Sequence, residues 1–380
     1  MKLLRIFLII FCINLSAMHQ VRVLLAELPD TTPILFEAKQ GFTLGDAKGE
    51  TVTVDFPDQK LIITAKNGKL FINDKCCSIP HLRIDSLHGD ITFNGNSYGG
   101  FFYVVVCCNT LLVINSIELE EYVGCVLCWE SWPGWPLEVN KAFAITCRTY
   151  AVRRLQENRT SKKKKLYDIK ATNIHQTYKG SHSLSIIDQA IQETEGIIMI
   201  YDNQPIEAMY DSCCGGIIPA DLQSLKKCDA PYLKRSYACN YCSNAKKLYT
   251  WKARYTVSEF EELLHAMFGK KYTIKKIGKT QFDKAGVLTS ISFQTNRGTL
   301  TLTAKQMYSL CKDIKSMCYK VAIQDSMIII SEGKGFGHHK GLCQWGSRQL
   351  EREGWSADEM LLFYYPGITF KKIGNNHAAI

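Results

Sequence analysis

The sequence predicts an α+β protein, in which a β-rich N-terminal region is followed by a mixed α/β region. Residues 20–117 contain short apolar runs separated by Gly, Asn and Asp, which is typical of strands and turns. From residue 118 onward, apolar residues recur at spacings of three and four, as on one face of a helix. Of the 380 residues, 46% are hydrophobic and 22% are charged, a composition that buries a core and excludes disordered, collagen-like and coiled-coil chains.

The first 19 residues resemble an export signal and are left out of the predicted fold. Lys2 and Arg5 precede an apolar stretch that ends at Leu15, and the small residues Ser16 and Ala17 offer a cleavage site. This stretch is shorter than the roughly 18 residues that a membrane-spanning helix needs, which excludes a polytopic membrane protein. We therefore expect an exported protein of the periplasm or cell envelope. It is either cleaved after Ala17 or anchored in the membrane by this segment.

The charge balance favours an anionic partner. Lys and Arg number 46 against 36 Asp and Glu, a net charge of +10. Such a charge attracts polyanions without specifying which, and it also serves solubility alone. An exported chain has little access to nucleic acid, so an acidic wall polymer or an anionic membrane surface fits better. The basic segment from Arg153 to Lys165 is either a solvated loop or a contact with such a polyanion.

The periodicity predicts the individual elements. In the N-terminal region it predicts strands at residues 21–25, 51–56, 61–64, 69–72, 91–93, 101–106 and 111–114. Further on it predicts helices at residues 118–130, 137–155, 186–194 and 258–268, and strands at 197–201, 205–210, 287–294, 300–302 and 326–330. The helix at 137–155 is apolar nearly all round, apart from Arg148, so it should be central and buried. The domain boundaries that follow are 1–19, 20–117 and 118–375, the last including a Cys-rich insertion at 211–242.

Glu130 is the most informative single position. It ends the apolar face of the predicted helix at 118–130 and lies beside Trp129, Trp132 and Trp135 in the sequence. Burial against aromatic surface and the negative end of a helix both favour the protonated form of a carboxyl group. A protonated carboxyl group is what a general acid for glycosidic-bond cleavage requires, and aromatic faces suit sugar binding. The alternative is a structural Glu that pairs with Arg148 or Arg153.

A glycine-rich loop at residues 333–346 forms a second candidate site. A strand, this loop and a helix follow one another, but the dinucleotide fingerprint needs a third Gly where His338 stands, so a dinucleotide site is excluded. The loop is expected to present His338, Gln344 and Trp345 to a ligand, unless it is only a tight connection. A Cys343 nucleophile paired with the neighbouring histidines is disfavoured, because nothing in the sequence marks a third group that would orient the pair.

The cysteines indicate either metal binding or disulfides. The chain has 16, and removal of the signal leaves an odd number, which cannot all pair within one chain. Cys214, Cys239 and Cys242 include a Cys-x-x-Cys pair and are predicted to hold a structural zinc ion, with Asp211, Cys213 or Cys228 as the fourth ligand. Disulfides among the same residues are the alternative for an exported protein.

Several motifs, in order, resemble the stage II sporulation protein D family, which includes the amidase enhancers. They are residues 119–124, 130–133, 135–138, 148–151, 175–180, 210–216, 335–346 and 363–367. The loop departs from the family pattern Gly-His-Gly-Val-Gly-Met-Ser-Gln, since His339, Lys340, Leu342 and Cys343 occupy four of its positions. Asp211 stands where the family often has a histidine that helps to bind zinc in some members, which weakens the zinc prediction.

The resemblance implies a lytic transglycosylase that acts on peptidoglycan glycan strands stripped of their peptides. Glu130 then matches the catalytic acid, and no cofactor is required for catalysis. The substrate-binding residues are expected to be Arg148, Tyr150, Gln176, Tyr178, Tyr210, Ser212, His338, Gln344 and Trp345. Arg148 or the segment from Arg153 to Lys165 would face the lactyl carboxylate of muramic acid. The alternative is a non-catalytic wall-binding module that stimulates a cell-wall amidase.

Overall fold

The structure is a computed structural model that describes residues 20–46, 59–77, 79–107, 109–132, 134–172, 175–218 and 230–374. The export signal, the strand predicted at 51–56, Cys108 and Cys228 lie outside these residues. The α+β class is confirmed, because the elements before the first helix are strands in the described residues and helices alternate with strands after it. Among the described residues, no helix is both long enough and apolar enough to cross a bilayer.

The chain divides into two compact units. The first unit contains residues up to Glu130, Ala151–Ser183 and the chain from Lys372 onward. The second unit contains Ser131–Tyr150 and Leu184–Lys371. Residues 118–130 and 151–183 therefore pack with the β-rich region, although the sequence boundaries placed them in the following one.

The first unit is built on two six-stranded sheets. Its strands before the first helix are β1 (Gln20–Pro29), β2 (Ile34–Glu37), β3 (Phe42–Gly45), β4 (Lys60–Lys66), β5 (Lys69–Ile72), β6 (Lys75–Cys77), β7 (His81–Ser86), β8 (Ile91–Phe93), β9 (Asn96–Tyr98), β10 (Phe101–Cys107) and β11 (Thr110–Glu118). They lead into α1 (Leu119–Glu130), followed by α2 (Leu137–Thr160), whose residues up to Tyr150 belong to the second unit, and by β12 (Ile169–Lys170). The sheet orders are β12-β1-β11-β10-β7-β3 and β6-β5-β4-β2-β8-β9.

Aromatic side chains fill the core of this unit. Phe36, on β2, stacks on Phe93 at 5.3 Å and meets Phe102 edge-on at 5.0 Å. Tyr98 joins them edge-on to Phe102 at 5.7 Å. Alternate residues of β2 and β4 point inward, as the period of two predicts for half-buried strands. This core fixes the end of β11, from which α1 begins.

The second unit combines small sheets with helices. Its elements before residue 250 are α3 (Ser185–Glu193), β13 (Ile197–Tyr201), β14 (Gln204–Pro205), β15 (Tyr210–Asp211) and α4 (Lys246–Tyr249). They continue as β16 (Thr250–Thr256), α5 (Val257–Phe268), β17 (Ile274–Phe282), β18 (Leu288–Thr295), β19 (Gly298–Thr303), α6 (Ala304–Leu310), β20 (Lys320–Gln324) and β21 (Met327–Lys334). The last are β22 (Leu342–Cys343), α7 (Gln344–Arg352), α8 (Ala357–Tyr364) and β23 (Thr369–Lys372).

One strand prediction in this unit is wrong. Residues 205–210 were expected to form a single strand, but β14 ends at Pro205 and β15 begins only at Tyr210. Pro205 has no N–H for a continued ladder, and β15 pairs instead with β22, with Tyr210 opposite Leu342 and Asp211 opposite Cys343. This short parallel pair brings the Cys-rich segment beside the glycine-rich loop.

Residues 250–334, here called the basic module, have a hydrophobic core of their own. All of its buried members lie between Trp251 and Ile330. Two three-stranded sheets, β16-β21-β20 and β17-β18-β19, enclose it with α5 and α6. Capping boxes at Thr256 and Thr303 begin these two helices, because each hydroxyl accepts the N–H three residues on and the Glu or Gln there returns a bond.

Candidate functional site

Glu130 is the last residue of α1, and its side chain is partly exposed. The helix buries Tyr122, Val123, Val126 and Leu127, so it is anchored by its apolar face. Its last turn emerges from the core, which leaves Trp129 45% exposed. Glu130 is therefore accessible to a ligand, although the sequence predicted a more complete burial against aromatic surface.

A backbone N–H holds the Glu130 carboxyl group. Thr177 donates its N–H to Oε1 of Glu130 at 2.6 Å. A hydrogen bond of this kind stabilises the ionised carboxyl group and fixes its orientation. Glu130, from the motif at residues 130–133, and Thr177, from the motif at 175–180, thus meet although their motifs are far apart in the sequence.

The segment that carries Thr177 is fixed from both sides. The Tyr122 hydroxyl donates to Oε1 of Gln176 at 2.9 Å, and the Tyr178 hydroxyl donates to Oδ1 of Asn115 at 2.6 Å. Asn115 in turn donates to the carbonyl of Gly99. Gln176 and Tyr178 are 0% and 2% exposed. These two predicted substrate contacts are therefore buried, and their side chains position the Thr177 N–H instead.

The loop after Glu130 is held by Asn140. The Ser131 hydroxyl donates to Oδ1 of Asn140, and the Asn140 amide donates to the Trp135 carbonyl, both at 2.9 Å. The Trp135 N–H closes a turn onto the carbonyl of Trp132. The loop is therefore fixed in one conformation before α2 begins, and it belongs to the second unit.

Three indoles and an arginine form an aromatic cluster in the second unit. Trp345 meets Trp135 edge-on at 5.8 Å and Trp132 at 6.2 Å. The Arg348 guanidinium lies 5.2 Å from the ring centre of Trp345, within cation–π range. Trp132 is 54% exposed, so this cluster offers an indole face to a ligand. Sequence reasoning found the tryptophans but missed Arg348, whose only signal is its spacing of three from Trp345 on a helix.

Arg148 is placed as a core residue, which contradicts its predicted contact with substrate. Its side chain is 0% exposed, the largest fully buried one among the described residues. The guanidinium donates to the Ile197 carbonyl at 3.2 Å and to the Thr194 hydroxyl at 3.5 Å. This charged residue on an otherwise apolar helix was predicted to contact substrate. In the structure it joins α2 to the segment after α3 instead.

The other predicted binding residues fall into two groups. Tyr150 and Gln344 are buried, at 9% and 6% exposure. Tyr210, Ser212 and His338 are partly exposed, and for them substrate binding stays a prediction. Dehydration of the His338 ring lowers its pKa to about 3, and its Nδ1 accepts the N–H of Lys340 at 3.1 Å, so the ring is neutral at neutral pH.

The glycines of the loop serve its packing against residues 209–216. A Cβ on Gly341 would lie 1.8 Å from the Met209 carbonyl oxygen, and one on Gly337 would lie 2.3 Å from the Asp211 side chain. Both glycines have positive φ, which other residues rarely adopt. The close approach therefore exists, but its partners are the Met209 backbone and the Asp211 side chain instead of a ligand.

The buried Asp211 side chain holds the glycine-rich loop through a hydrogen bond. Its Oδ2 accepts the backbone N–H of His339 at 2.6 Å, and burial raises the pKa of the carboxyl group well above its usual value. His339 has a φ of 67°, unusual for a residue other than glycine. Asp211 therefore stabilises a strained loop, which accounts for a carboxylate at this position without a metal.

Four thiols meet beside the loop. The Sγ atoms of Cys214, Cys239, Cys242 and Cys343 all lie within 4.8 Å of one another, and all four residues are buried. The Sγ atoms of Cys214 and Cys242 are 3.8 Å apart. Zinc–sulfur bonds of about 2.3 Å in a tetrahedron place the sulfurs about 3.8 Å apart, so the donor set fits a closed zinc site.

Cys343, the fourth cysteine of this set, was not among the zinc ligands predicted from the sequence. The sequence prediction named Asp211, Cys213 or Cys228 for that position, but the carboxyl group of Asp211 is engaged elsewhere and Cys228 lies outside the described residues. Cys343 takes it, because the pairing of β15 with β22 carries it to Cys214, whose N–H points at the Cys343 sulfur at 3.3 Å. No spacing in the sequence signals this long-range contact.

The surroundings of the four thiols suit negative charge. The buried Arg235 guanidinium donates to the Ile217 carbonyl at 2.9 Å, and in spite of its burial the neighbouring Cys214 and Cys239 sulfurs raise its pKa. The Tyr364 hydroxyl lies 3.3 Å from the Cys239 sulfur. Hydrogen bonds from the Cys213 and Cys214 thiols lower the pKa of Cys242, which stabilises a thiolate there. A cation and a hydroxyl thus partly offset the charge that four thiolates would bring.

Comparisons with known proteins agree with these motifs. A family model described as "Stage II sporulation protein" matches residues 108–201, which include Glu130 and Thr177. An uncharacterized protein of Brachyspira hyodysenteriae is 31% identical over 286 residues, covering 73% of each chain. The stage II sporulation protein D of Bacillus subtilis is 27% identical, covering 67% of this chain and 74% of its own. The B. subtilis amidase enhancer is 23% identical, and the match covers 62% of this chain but 38% of the enhancer.

Proposed function

Because the chain belongs to the stage II sporulation protein D family, we propose that it is an exported cell-wall enzyme, a peptidoglycan lytic transglycosylase with Glu130 as its catalytic acid. The observation that carries this proposal is the Glu130 carboxyl group, accessible at a helix end and oriented by the Thr177 N–H. Its substrate would be glycan strands stripped of their peptides.

The reaction requires a single carboxyl group that first gives and then takes a proton. Protonated Glu130 donates to the oxygen between N-acetylmuramic acid and N-acetylglucosamine, and the bond from the muramic C1 to that oxygen breaks. The muramic C6 hydroxyl attacks C1 while the Glu130 carboxylate takes the hydroxyl proton. A 1,6-anhydro ring closes, and water takes no part. Glycoside hydrolases usually use two carboxyl groups instead, about 5–9.5 Å apart.

The Thr177 N–H supports the second half of this reaction. After Glu130 has given up its proton it carries a negative charge, and a hydrogen bond to Oε1 stabilises that form. The network of Tyr122, Gln176 and Tyr178 keeps the donor in place, so no reorganisation is needed when the charge appears.

The aromatic cluster supports sugar binding. Pyranose rings stack on exposed indoles, and Trp132 offers such a face. Arg348, held against Trp345, would attract the lactyl carboxylate of muramic acid, a role that the sequence prediction gave to Arg148 or to the segment from Arg153 to Lys165. Since Arg148 is buried, the positive charge for this carboxylate must come from other residues.

We further propose a structural zinc ion held by Cys214, Cys239, Cys242 and Cys343. Four thiolates leave no open coordination position, so the ion would stabilise the fold and take no part in catalysis. Cys343 immediately precedes Gln344 and Trp345, and the ion would therefore fix the start of α7.

The second candidate function comes from the amidase enhancer among the relatives. A chain of this kind would bind the wall and stimulate a separate amidase without cleaving glycan. Both functions are cell-wall related, and they differ in whether glycan products appear when the purified protein is the only protein present.

Digestion of peptide-free glycan strands separates the two. The wild-type protein is expected to release fragments ending in 1,6-anhydro-muramic acid, detected by mass spectrometry, and Glu130→Gln to release none while it stays folded. Glu121→Gln is a matched control on the same helix, since nine residues place Glu121 about 13 Å along the axis from Glu130. No products from the wild type would favour the wall-binding module, and full activity of Glu130→Gln would remove Glu130 as the acid.

A further inference from the structure

The positive charge of the chain is concentrated in the basic module. Residues 250–334 contain 14 Lys and Arg against 7 Asp and Glu, a surplus of +7 out of the +10 of the whole chain. The surplus lies on a module with its own core, so it belongs to one compact part of the chain and not to the chain in general. A concentrated surplus attracts anionic polymers far more strongly than a dispersed one.

A groove of about 570 Å³ runs along this module. It is lined by Lys252, Ala253, Arg254, Tyr308, Lys312, Asp313, Ile314, Lys315 and Phe336. Among the described residues, Lys252, Arg254 and Lys312 form no ion pair with a carboxylate. The one acid in the lining, Asp313, accepts a hydrogen bond from the Tyr255 hydroxyl at 3.0 Å. The groove therefore keeps a net positive charge.

Two aromatic rings border the same groove. Tyr308 and Phe336 are 37% and 38% exposed, although rings of this size are usually more deeply buried. Aromatic faces beside cationic side chains suit a ligand that alternates flat, weakly polar faces with negative groups. A sugar polymer with carboxylates has both features, whereas a lipid surface offers no rings to stack.

The groove is joined through the backbone to the segment that bears Trp345. Phe336 exchanges hydrogen bonds with Cys213, and the Gly337 N–H donates to the Lys315 carbonyl. The Ser212 carbonyl, one residue before Cys213, accepts the N–H of Trp345 at 3.1 Å. The segments that carry the groove and the aromatic cluster are thus held together by backbone hydrogen bonds within the second unit.

We propose that this groove is a distal binding site for a carboxylate-bearing glycan strand, with Lys252, Arg254 and Lys312 on the carboxylates and Tyr308 and Phe336 on the sugar faces. The inference rests on the proposed function for the identity of the glycan. The groove would hold the length of the strand that is not being cut, so it is expected to matter for long strands and not for short fragments.

Binding of peptide-free glycan strands tests this proposal, with neutral chitin oligomers of equal length as the comparison ligand. Both are measured in the Glu130→Gln background, so that the strand is not cut. The triple variant Lys252→Glu/Arg254→Glu/Lys312→Glu is expected to bind the anionic strand at least tenfold more weakly. Wild-type binding should weaken with salt, since the screening length falls from about 10 Å at 0.1 M to about 3 Å at 1 M.

The matched control is Lys275→Glu/Lys276→Glu/Lys279→Glu, which makes the same charge change at exposed positions of β17, outside the groove lining. This control should bind the strand within twofold of the wild type. Equal losses in both triple variants would overturn the proposal, as would a groove variant that loses binding of anionic phospholipid vesicles or DNA but not of glycan. Tyr308→Ala, which keeps the charge, is expected to weaken both glycan and chitin binding.

A separate readout distinguishes failure of this inference from failure of the proposed function. With Glu130 restored, the groove variant should cut short muramic-acid oligosaccharides as fast as the wild type and long strands several-fold more slowly. If the wild type gives no anhydro ends, the proposed activity fails while the difference in binding still tests the groove. If products form and the groove variant cuts long strands at the wild-type rate, the groove proposal fails alone.

Discussion

Replacing Cys343 by serine is expected to release one zinc ion per chain. The four sulfurs come from three distant parts of the sequence, and the Cys214 to Cys242 separation of 3.8 Å already equals the edge of a zinc tetrahedron. Serine keeps the size of the side chain but is a poor zinc ligand at neutral pH. The remaining three thiols would hold the ion much more weakly.

The loss should appear in the melting temperature as well. If free zinc stands at about 100 times its dissociation constant, binding stabilises the folded state by about 2.7 kcal/mol. A domain of the size of the second unit shifts by about 2–4 °C per kcal/mol, so the variant and the chelated wild type should both melt roughly 5–11 °C lower. Protein purified under reducing conditions, metal analysis by mass spectrometry and thermal unfolding with and without chelator measure this.

Cys213→Ala is the matched control for this measurement. Cys213 adjoins Cys214 and is equally buried, but its sulfur is not one of the four. The control should keep one zinc ion and its response to chelator. The zinc proposal is refuted if the wild type carries no zinc and its melting temperature does not change with chelator. It is also refuted if peptide mapping finds Cys214 and Cys242 joined in a disulfide.

Two further predictions concern residues near the candidate site. Arg148→Ala should lower the unfolding free energy, measured in urea, by at least about 3 kcal/mol, because it leaves a cavity and an unpaired Ile197 carbonyl. The control Arg153→Ala loses an exposed ion pair with Glu157 and should cost less than about 1 kcal/mol. A raised KM at unchanged stability would instead make Arg148 a substrate contact. The His338 pKa is lowered to about 3 in the folded state, so unfolding takes up a proton between pH 6.5 and 3, and this part of the stability is present above pH 6.5 and lost as the pH falls. His338→Gln should flatten the decline of stability with falling pH by up to about 1.4 kcal/mol per pH unit, and an unchanged slope would show that the ring is not dehydrated.

Local periodicity predicted the elements that present the candidate site. The helix that ends at Glu130 and the buried helix after it follow from apolar residues at spacings of three and four. Such a pattern is visible within one short segment of the sequence. The two helices are observed at Leu119–Glu130 and Leu137–Thr160. Alternating or continuous apolar runs predicted β1, β4, β5, β8, β10 and β11 of the first unit. The shorter strands β2, β3, β6, β7, β9 and β12 were not predicted.

Contacts between distant segments could not be predicted in this way. The Thr177 N–H on Glu130 and the Cys343 sulfur beside Cys214 each join residues at least 47 positions apart. Arg148 shows the reverse error, because a cation on an apolar helix indicates a ligand contact or a buried pairing equally well until its partners are known. The loop glycines were predicted to let the backbone approach a ligand, and the sequence does not reveal that Gly341 and Gly337 instead approach Met209 and Asp211.

The most direct test of Glu130 as acid and base of one reaction is digestion of peptide-free glycan in water enriched in oxygen-18. Intramolecular attack by the C6 hydroxyl predicts new ends that are lighter by one water than a hydrolysed end and carry no label, and Glu130→Gln should yield none of them. Labelled reducing ends from the wild-type protein would show that water attacks the sugar, which contradicts the proposed mechanism.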